Sequence, residues 1–417
     1  MRISTVTMFE QSTASINRQQ SDFLKVSQQI ASGRRVVNPS DDPQAASRAV
    51  GVDQSKAMNQ QFADARVSAR NSLSQTESIL NSVSDAVTSA KTLLVQASSD
   101  TLSDVDRESI ASELKGIYET MLGQANATDG NGRHLFGGYK DNAPPFVKSA
   151  DGNVEYNGDN SVRQQRVDAS RLMPVAENGA TVFQGVPSGA GYIASANAEN
   201  QGNVTFSGPQ LTDVNDPGYG DSYRVVFQED ATLDSGVSYQ VQRFSEGAWQ
   251  ENADDLVASG EYVGEGQQLN FGGVNVTLTG NAEPDDQILL ARPGSEQRDA
   301  DLFRTMEVAI SALEMPAQNA TEKAALRNTL NTSMRELDNA LDNVLTVRAS
   351  AGARLNELDV VDAVGNNRML NYEQTLSDLV DLDYASAISE YSLRQVGLQA
   401  AQKAFVDIKS MSLFDYM

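Results

Sequence analysis

Cysteine is absent from the chain and histidine occurs once, as His134. The first absence excludes disulfides, thiolate catalysis and Cys-ligated zinc, and it suits an oxidising exterior. The second removes most metal sites and catalytic triads, because His134 has no second histidine to share a metal or a proton relay. No run of about 18 apolar residues occurs, so no stretch qualifies as a membrane span. The opening MRISTVTMFEQSTAS lacks the apolar core of a secretory signal, which predicts either a cytoplasmic protein or one exported with its N-terminus uncleaved. Basic charge is scarce too. Against 56 Asp/Glu there are 32 Lys/Arg, and the resulting −24 repels nucleic acid and anionic membrane surfaces.

The charge that is present lies unevenly over the 417 residues. Between Tyr139 and Gln297 there are 8 Lys/Arg and 23 Asp/Glu, whereas residues 1–42 hold 5 basic and 4 acidic side chains. The middle is written to face water, and the ends to face protein. Proline divides the chain in the same way. None occurs between Pro43 and Pro144, and only Pro316 follows Pro293, so helical flanks should enclose a turn-rich, β-rich insert.

The flanks carry helical periodicity. Ala69, Leu73, Thr76, Leu80, Val83, Val87, Ala90, Leu94 and Ala97 recur at spacings of three and four, the narrow stripe of a coiled-coil seam. Asp42 suits the N-cap of this helix and Pro43 its first position. At roughly 1.5 Å per residue such a helix over 44–100 would be a rod of about 85 Å. A second helix, with Ile110, Leu114, Ile117 and Met121 on one face, should end near the Gly-Asn-Gly of 130–132. The other flank mirrors this with Leu330, Met334, Leu337, Leu341, Val344, Ala351, Leu355 and Leu358, broken by Arg348, and Gly365 should interrupt the helix.

The extremities are thinner. Phe9, Ile16, Phe23 and Ile30 repeat every seven residues, but the intervening Thr13, Gln20 and Ser27 are polar. The last helix carries Tyr384, Ile388, Tyr391, Leu398, Phe405 and Ile408. A helix with so little apolar surface is marginal alone, so these two should need each other, and neighbouring molecules as well. In the insert, alternation at Tyr223–Phe227, Val237–Val241 and Leu269–Leu278 predicts antiparallel strands, with Gly272-Gly273 as a hairpin turn.

Chemistry-bearing motifs are weak. The glycines of 130–138 lack the Gly-Lys-Ser/Thr of a phosphate loop and the spacing of a dinucleotide fingerprint. Asp151, Asn153 and Glu155 have calcium-loop spacing, but Tyr156 stands where that loop needs glycine. No nucleophile, base and oxyanion site assembles, so no catalytic residue, cofactor or metal is expected.

The fold class expected is α+β, elongated and multi-domain. Residues 1–42 should form an N-terminal assembly helix, 43–140 the first half of a helical rod, and 141–297 a β-rich, outward-facing insert of one or two modules breaking near 185–200. Residues 298–365 should form the second half of the rod and 366–417 a C-terminal assembly helix. Both terminal segments are expected to be disordered in the monomer.

Ile30-Ala-Ser32-Gly33-Arg34-Arg-Val-Val-Asn38-Pro-Ser-Asp41-Asp42-Pro43 resembles the N-terminal signature of the flagellin superfamily. Arg348-Ala-Ser-Ala-Gly-Ala-Arg354-Leu-Asn356 is similar to its C-terminal partner segment. Leu379-Val-Asp381-Leu-Asp383-Tyr-Ala, followed by Gln395, Gln399 and Ala400, is similar to its last helix. Within the superfamily, the start Met1–Thr5 and the end Ser412–Met417 resemble those of hook–filament junction subunits rather than filament flagellins. The resemblance implies a structural, extracellular role in the flagellum and export, unfolded, through the flagellar type III apparatus. A cytoplasmic export chaperone would hold the C-terminal segment. The first hook-associated protein, flagellin and like subunits would be the partners, and the terminal helices would become ordered in the assembled tube.

Overall fold

A computed structural model describes residues 5–99, 101–150, 152–185, 187, 189–298 and 301–410, with side chains of the terminal helices from 7 to 407. The Met1–Ser4 and Ser412–Met417 motif residues, Asp151 and the side chain of Ile408 lie outside the described residues. The element order is α1 (Thr5–Ser32), α2 (Pro43–Ala97), α3 (Asp104–Ala125), thirteen short strands, α4 (Leu302–Glu314), α5 (Ala320–Val380) and α6 (Tyr384–Ser410). Helices occupy both flanks and antiparallel sheets the middle, an α+β arrangement.

The chain divides into two compact units. One holds residues 1–66, 167–170 and 359–417, and the other residues 67–166 and 171–358. The division therefore falls inside α2 and α5, not at 42/43 and 365/366 as expected from the sequence.

In the second unit the heptad stripe of α2 is fully buried. Ala69, Leu73, Leu80, Val83, Val87, Ala90 and Leu94 have no exposed surface, and from Leu80 onward they share a core with Ile110, Leu114 and Met121 of α3, Phe303 and Met306 of α4, and Leu330, Leu337 and Val344 of α5. α3 begins with a capping box, in which Ser103 accepts from the Asp106 N–H and the Asp106 carboxylate accepts from the Ser103 N–H. It ends at Ala125, five residues before the glycines expected to stop it.

Residues 141–185 were expected in the outward-facing insert, and the structure corrects this. The hairpin β1 (Phe146–Lys148) and β2 (Val154–Tyr156) and a short π-helical turn (Ala180–Gln184) pack on the helical core. Phe183 meets Phe136 at 5.3 Å, Phe146 at 5.2 Å and Phe303 at 5.7 Å between ring centroids. Local alternation cannot report such contacts, because their partners are far away in sequence. A second hairpin, β3 (Gln164–Asp168) and β4 (Arg171–Pro174), follows the first.

The remaining strands are β5 (Ile193–Ala196), β6 (Thr205–Leu211), β7 (Tyr223–Glu229), β8 (Val237–Ser245), β9 (Ala248–Trp249), β10 (Ala258–Glu261), β11 (Gln267–Phe271), β12 (Val274–Thr279) and β13 (Gln287–Ala291). They form one sheet in the order β10-β8-β7-β13-β5, with β9 on β8, and another in the order β11-β12-β6. The two close on a core of Tyr223, Val225, Phe227, Val241, Val276, Leu278, Ile288 and Leu290. The expected turn is present: Gly272 and Gly273 both have positive φ, +55° and +73°, as a two-residue hairpin between β11 and β12 requires. Helix α5 holds these strands through buried amides. Asn328 Nδ2 donates to the Val204 carbonyl at 2.8 Å, and its Oδ1 accepts from the Phe206 N–H at 3.2 Å.

In the first unit, α2 and α5 are tied by polar contacts. Arg66 is only 1% exposed. It pairs with Asp362 and donates to the Val167 carbonyl at 3.0 Å. Asn59 Nδ2 donates to the Gly365 carbonyl at 2.9 Å, and Lys56 meets Glu373 at 3.0 Å.

Gly365 does not interrupt the helix. α5 runs unbroken through it, at the roughly 1 kcal/mol that glycine costs against alanine in a helix interior. Its role is clearance, since a Cβ here would lie 2.5 Å from Nη2 of Arg66. Gly365→Ala is therefore expected to destabilise the first unit by about 1–3 kcal/mol despite the better helix former. Urea unfolding checks this, and a stabilised variant would contradict it.

Candidate assembly interface

Helix α1 packs along α6, and their apolar residues meet pairwise. Phe9 stacks against Phe405 at 5.1 Å and Phe23 against Tyr391 at 4.9 Å. Both helices repeat every seven residues between these two contacts, running in opposite directions. That step carries Ile16 to the level of Leu398 and Ile30 to the level of Tyr384. Arg394 clamps the seam by donating to Asp22 at 2.8 Å and to Glu390 at 3.2 Å. Gly397 leaves room for Gln19, whose Oε1 would stand 3.1 Å from a Cβ there.

The seam is not dry. Phe9 is 46% exposed and Tyr384 52%, while Ile16, Phe23, Ile30, Tyr391, Leu398 and Phe405 are half-buried. Ile388, at 54%, lies off the seam, and the neighbouring Ala387 is buried instead. On α1 the buried apolar residue is Val26. Elsewhere on the pair Leu24 is 53%, Leu393 71% and Val396 63% exposed. Two helices have too few facing positions to cover these side chains.

The motif residues converge where α1 turns into α2 beside the junction of α5 and α6. Gly33, at φ +69°, permits the turn and sits beneath the Tyr384 hydroxyl, with a hypothetical Cβ 2.9 Å from it. The Gly33 carbonyl accepts from the Leu382 N–H at 3.0 Å, and the Arg35 N–H donates to the Val380 carbonyl at 2.8 Å. Arg34 and Asp381 form the antiparallel bridge between these bonds. The side chain doing most at this junction is Arg35, which donates to the Leu379 carbonyl at 2.7 Å and to Asp42 at 3.1 Å. The sequence placed weight on Arg34, whose own side chain is exposed. Two adjacent arginines offer no local signal for which one reaches the end of α5. Ser32 Oγ accepts from the Arg34 N–H at 3.4 Å, and Asp383 caps α6 by accepting from Ala385 N–H at 3.0 Å.

Asp41 and Asp42 close the loop. The Asn38 N–H, then Lys25, holds the Asp41 carboxyl below its ordinary value, and the Ala45 N–H, then Arg35, does the same for Asp42. A carboxyl lowered on folding contributes stability that is fully present above its unfolded value, here 3.8, and is lost as pH falls through the lower folded one. Thermal stability is thus expected to fall below about pH 4, and Asp41→Asn with Asp42→Asn should flatten that drop. An unchanged acid slope would show that the loop is not what titrates.

The motif residues Arg348, Arg354 and Asn356 belong to the second unit. Arg348 pairs with Glu77 at 3.2 Å and Arg354 with Glu177, while Asn356 is exposed. Among the described residues, no group of His, Asp or Glu could hold a metal, and no helix is long and apolar enough to cross a membrane.

Paired, incompletely buried terminal helices carrying a Ser-Gly-Arg turn, with a β-rich middle, define a flagellin-type structural subunit. Residues 3–141 match the bacterial flagellin N-terminal helical region. Flagellar hook-associated protein 3 of Salmonella typhimurium is 33% identical over 415 residues, 99% of each chain. Among solved structures, FlgL of Xanthomonas campestris is 31% identical, with a TM-score of 0.65 over 78% of this chain and 99% of that one. The flagellar junction protein FlgL of Legionella pneumophila, at 24% identity, shares the fold with a TM-score of 0.65 over 80% of this chain and 100% of that one. The chain belongs to the flagellar hook-associated protein 3 family, the subunits of the hook–filament junction.

Proposed function

We propose that the half-buried seam of α1 and α6 is completed by neighbouring subunits, and that assembly of the junction is what stabilises these helices. The observation that carries this is the contrast between two apolar stripes of one chain. Leu80, Val83, Val87 and Leu94 are wholly buried within the subunit, while Phe9, Phe23, Tyr391 and Phe405 are not. Fully burying such a side chain is worth about 1.5–3 kcal/mol. The free chain leaves much of that unrealised, and a packed tube recovers it against the entropy of ordering two helices.

On this reading the subunit is geometric rather than enzymatic. It contacts the first hook-associated protein on one side, flagellin on the other and its own copies laterally. It is extracellular and reaches its place through the flagellar type III apparatus, its C-terminal segment held by an export chaperone. The seam pattern and the family support this. Immunogold labelling of intact flagella tests it: one band at the base of the filament is expected, and label along the whole filament would overturn it. Leu393→Asp combined with Val396→Asp should still be secreted but be found in the medium, since a charge buried between subunits costs several kcal/mol.

A further inference from the structure

The five-strand path of the larger sheet uses one face for the sandwich core and leaves the other outside it. Alternation sends Val225, Val241 and Ile288 into the core, and the register sets Leu289 opposite Arg224, and Arg224 opposite Gln242, on the outer face. A groove of about 370 Å³ opens there, lined by Asn197, Arg224, Trp249, Gln287, Leu289 and Gln297. It continues into a second groove of about 360 Å³, bordered by α4 and α5.

The chemistry of this lining is specific. Trp249 is the chain's one tryptophan. Its ring is braced by Phe244, edge to face at 5.3 Å, and by the Arg224 guanidinium at 4.7 Å. Arg224 also donates to Gln242 and to Glu251, at 2.9 Å for the latter, so its charge is matched. An anion therefore gains little here. The amides around it are free to bind. The Gln287 side chain makes no hydrogen bond among the described residues. Among the described residues, Asn197 uses its Oδ1 alone, which accepts from the Glu199 N–H at 3.2 Å, and Gln297 its Oε1 alone, which accepts from Ser222 Oγ at 2.8 Å.

Gln287 presents a free donor and acceptor side by side, and Asn197 and Gln297 add free N–H donors, a set that matches neighbouring hydroxyls on a sugar ring. An indole beside them supplies an apolar plate with a polar N–H edge, suited to a ligand that is greasy on one side and wet on the other. A purely apolar ligand would leave the amides unpaired, which is costly. We propose that this groove binds a neutral oligosaccharide, with the sugar against Trp249 and Leu289 and its hydroxyls held by Asn197, Gln287 and Gln297.

Trp249 is a built-in reporter for the test. Its fluorescence in the full-length protein is followed during titration with maltotriose, cellotriose, chitotriose and mannotriose. A saturable change with at least one sugar is expected, with Kd of roughly 0.1–10 mM for a site of this size and polarity. Asn197→Ala and Gln287→Ala should each weaken it about tenfold, the loss of one or two hydrogen bonds, with the thermal midpoint unchanged. If either variant melts early, Gln287→Glu, which keeps the shape and removes the donor, takes its place with the same expectation. No saturable change with any of the four up to about 50 mM, above the range stated, or a response that the variants retain, overturns the proposal.

Discussion

Deleting residues 381–417 is expected to abolish incorporation into flagella while leaving the unit built from residues 67–166 and 171–358 with its own melting transition. The deletion removes α6 and with it Tyr391, Leu398 and Phe405, the seam partners of α1, as well as the exposed Leu393 and Val396. If assembly completes the burial of these five side chains, the loss is on the order of 5–10 kcal/mol per subunit. Each 1.4 kcal/mol is about tenfold in affinity, so no band at the filament base should survive. The second unit keeps every residue of its two cores, and its midpoint should move by less than about 2 °C, the equivalent of under 1 kcal/mol. Normal junctions from the deleted chain would refute the role assigned to α6.

Phe183→Ala is expected to produce the largest loss of stability from a single substitution. Phe183 is almost wholly buried, and its ring meets those of Phe136, Phe146 and Phe303. Truncation removes the transferred surface and leaves a cavity that stiff aromatic neighbours cannot refill, at about 3–5 kcal/mol. For a unit of this size that lowers the calorimetric midpoint by roughly 10 °C. A shift below about 2 °C would mean that the segment 141–185 is only loosely attached to the helices.

That segment also shows where reading the sequence stops. The stripe from Ala69 to Ala97 is legible because every position in it is buried, so period and burial coincide. Phe146, Val154, Val182 and Phe183 sit in Pro- and Gly-containing, turn-rich surroundings, and nothing local says that they reach into a helical core. Gly365 misleads for a different reason. Propensity marks it as a break, while its actual constraint is the guanidinium of Arg66, some three hundred residues earlier. At the candidate interface the seven-residue step identifies Phe9, Phe23, Tyr391 and Phe405, which do meet. Ile388 lies outside that step and is 54% exposed, with Ala387 taking the inward position beside it. The convergence of Gly33, Arg35 and Leu382 depends on two chain ends meeting, which no single window contains.

Hydrogen exchange of α1 and α6, measured on the purified monomer and on intact flagella, tests the claim most directly. Sparse seams that gain their partners from other subunits predict near-complete exchange within seconds in the monomer, and amides protected for hours once assembled. Equal and strong protection of both helices in the monomer would contradict it. The pair would then be stable by itself, and burial between subunits could not be what drives assembly.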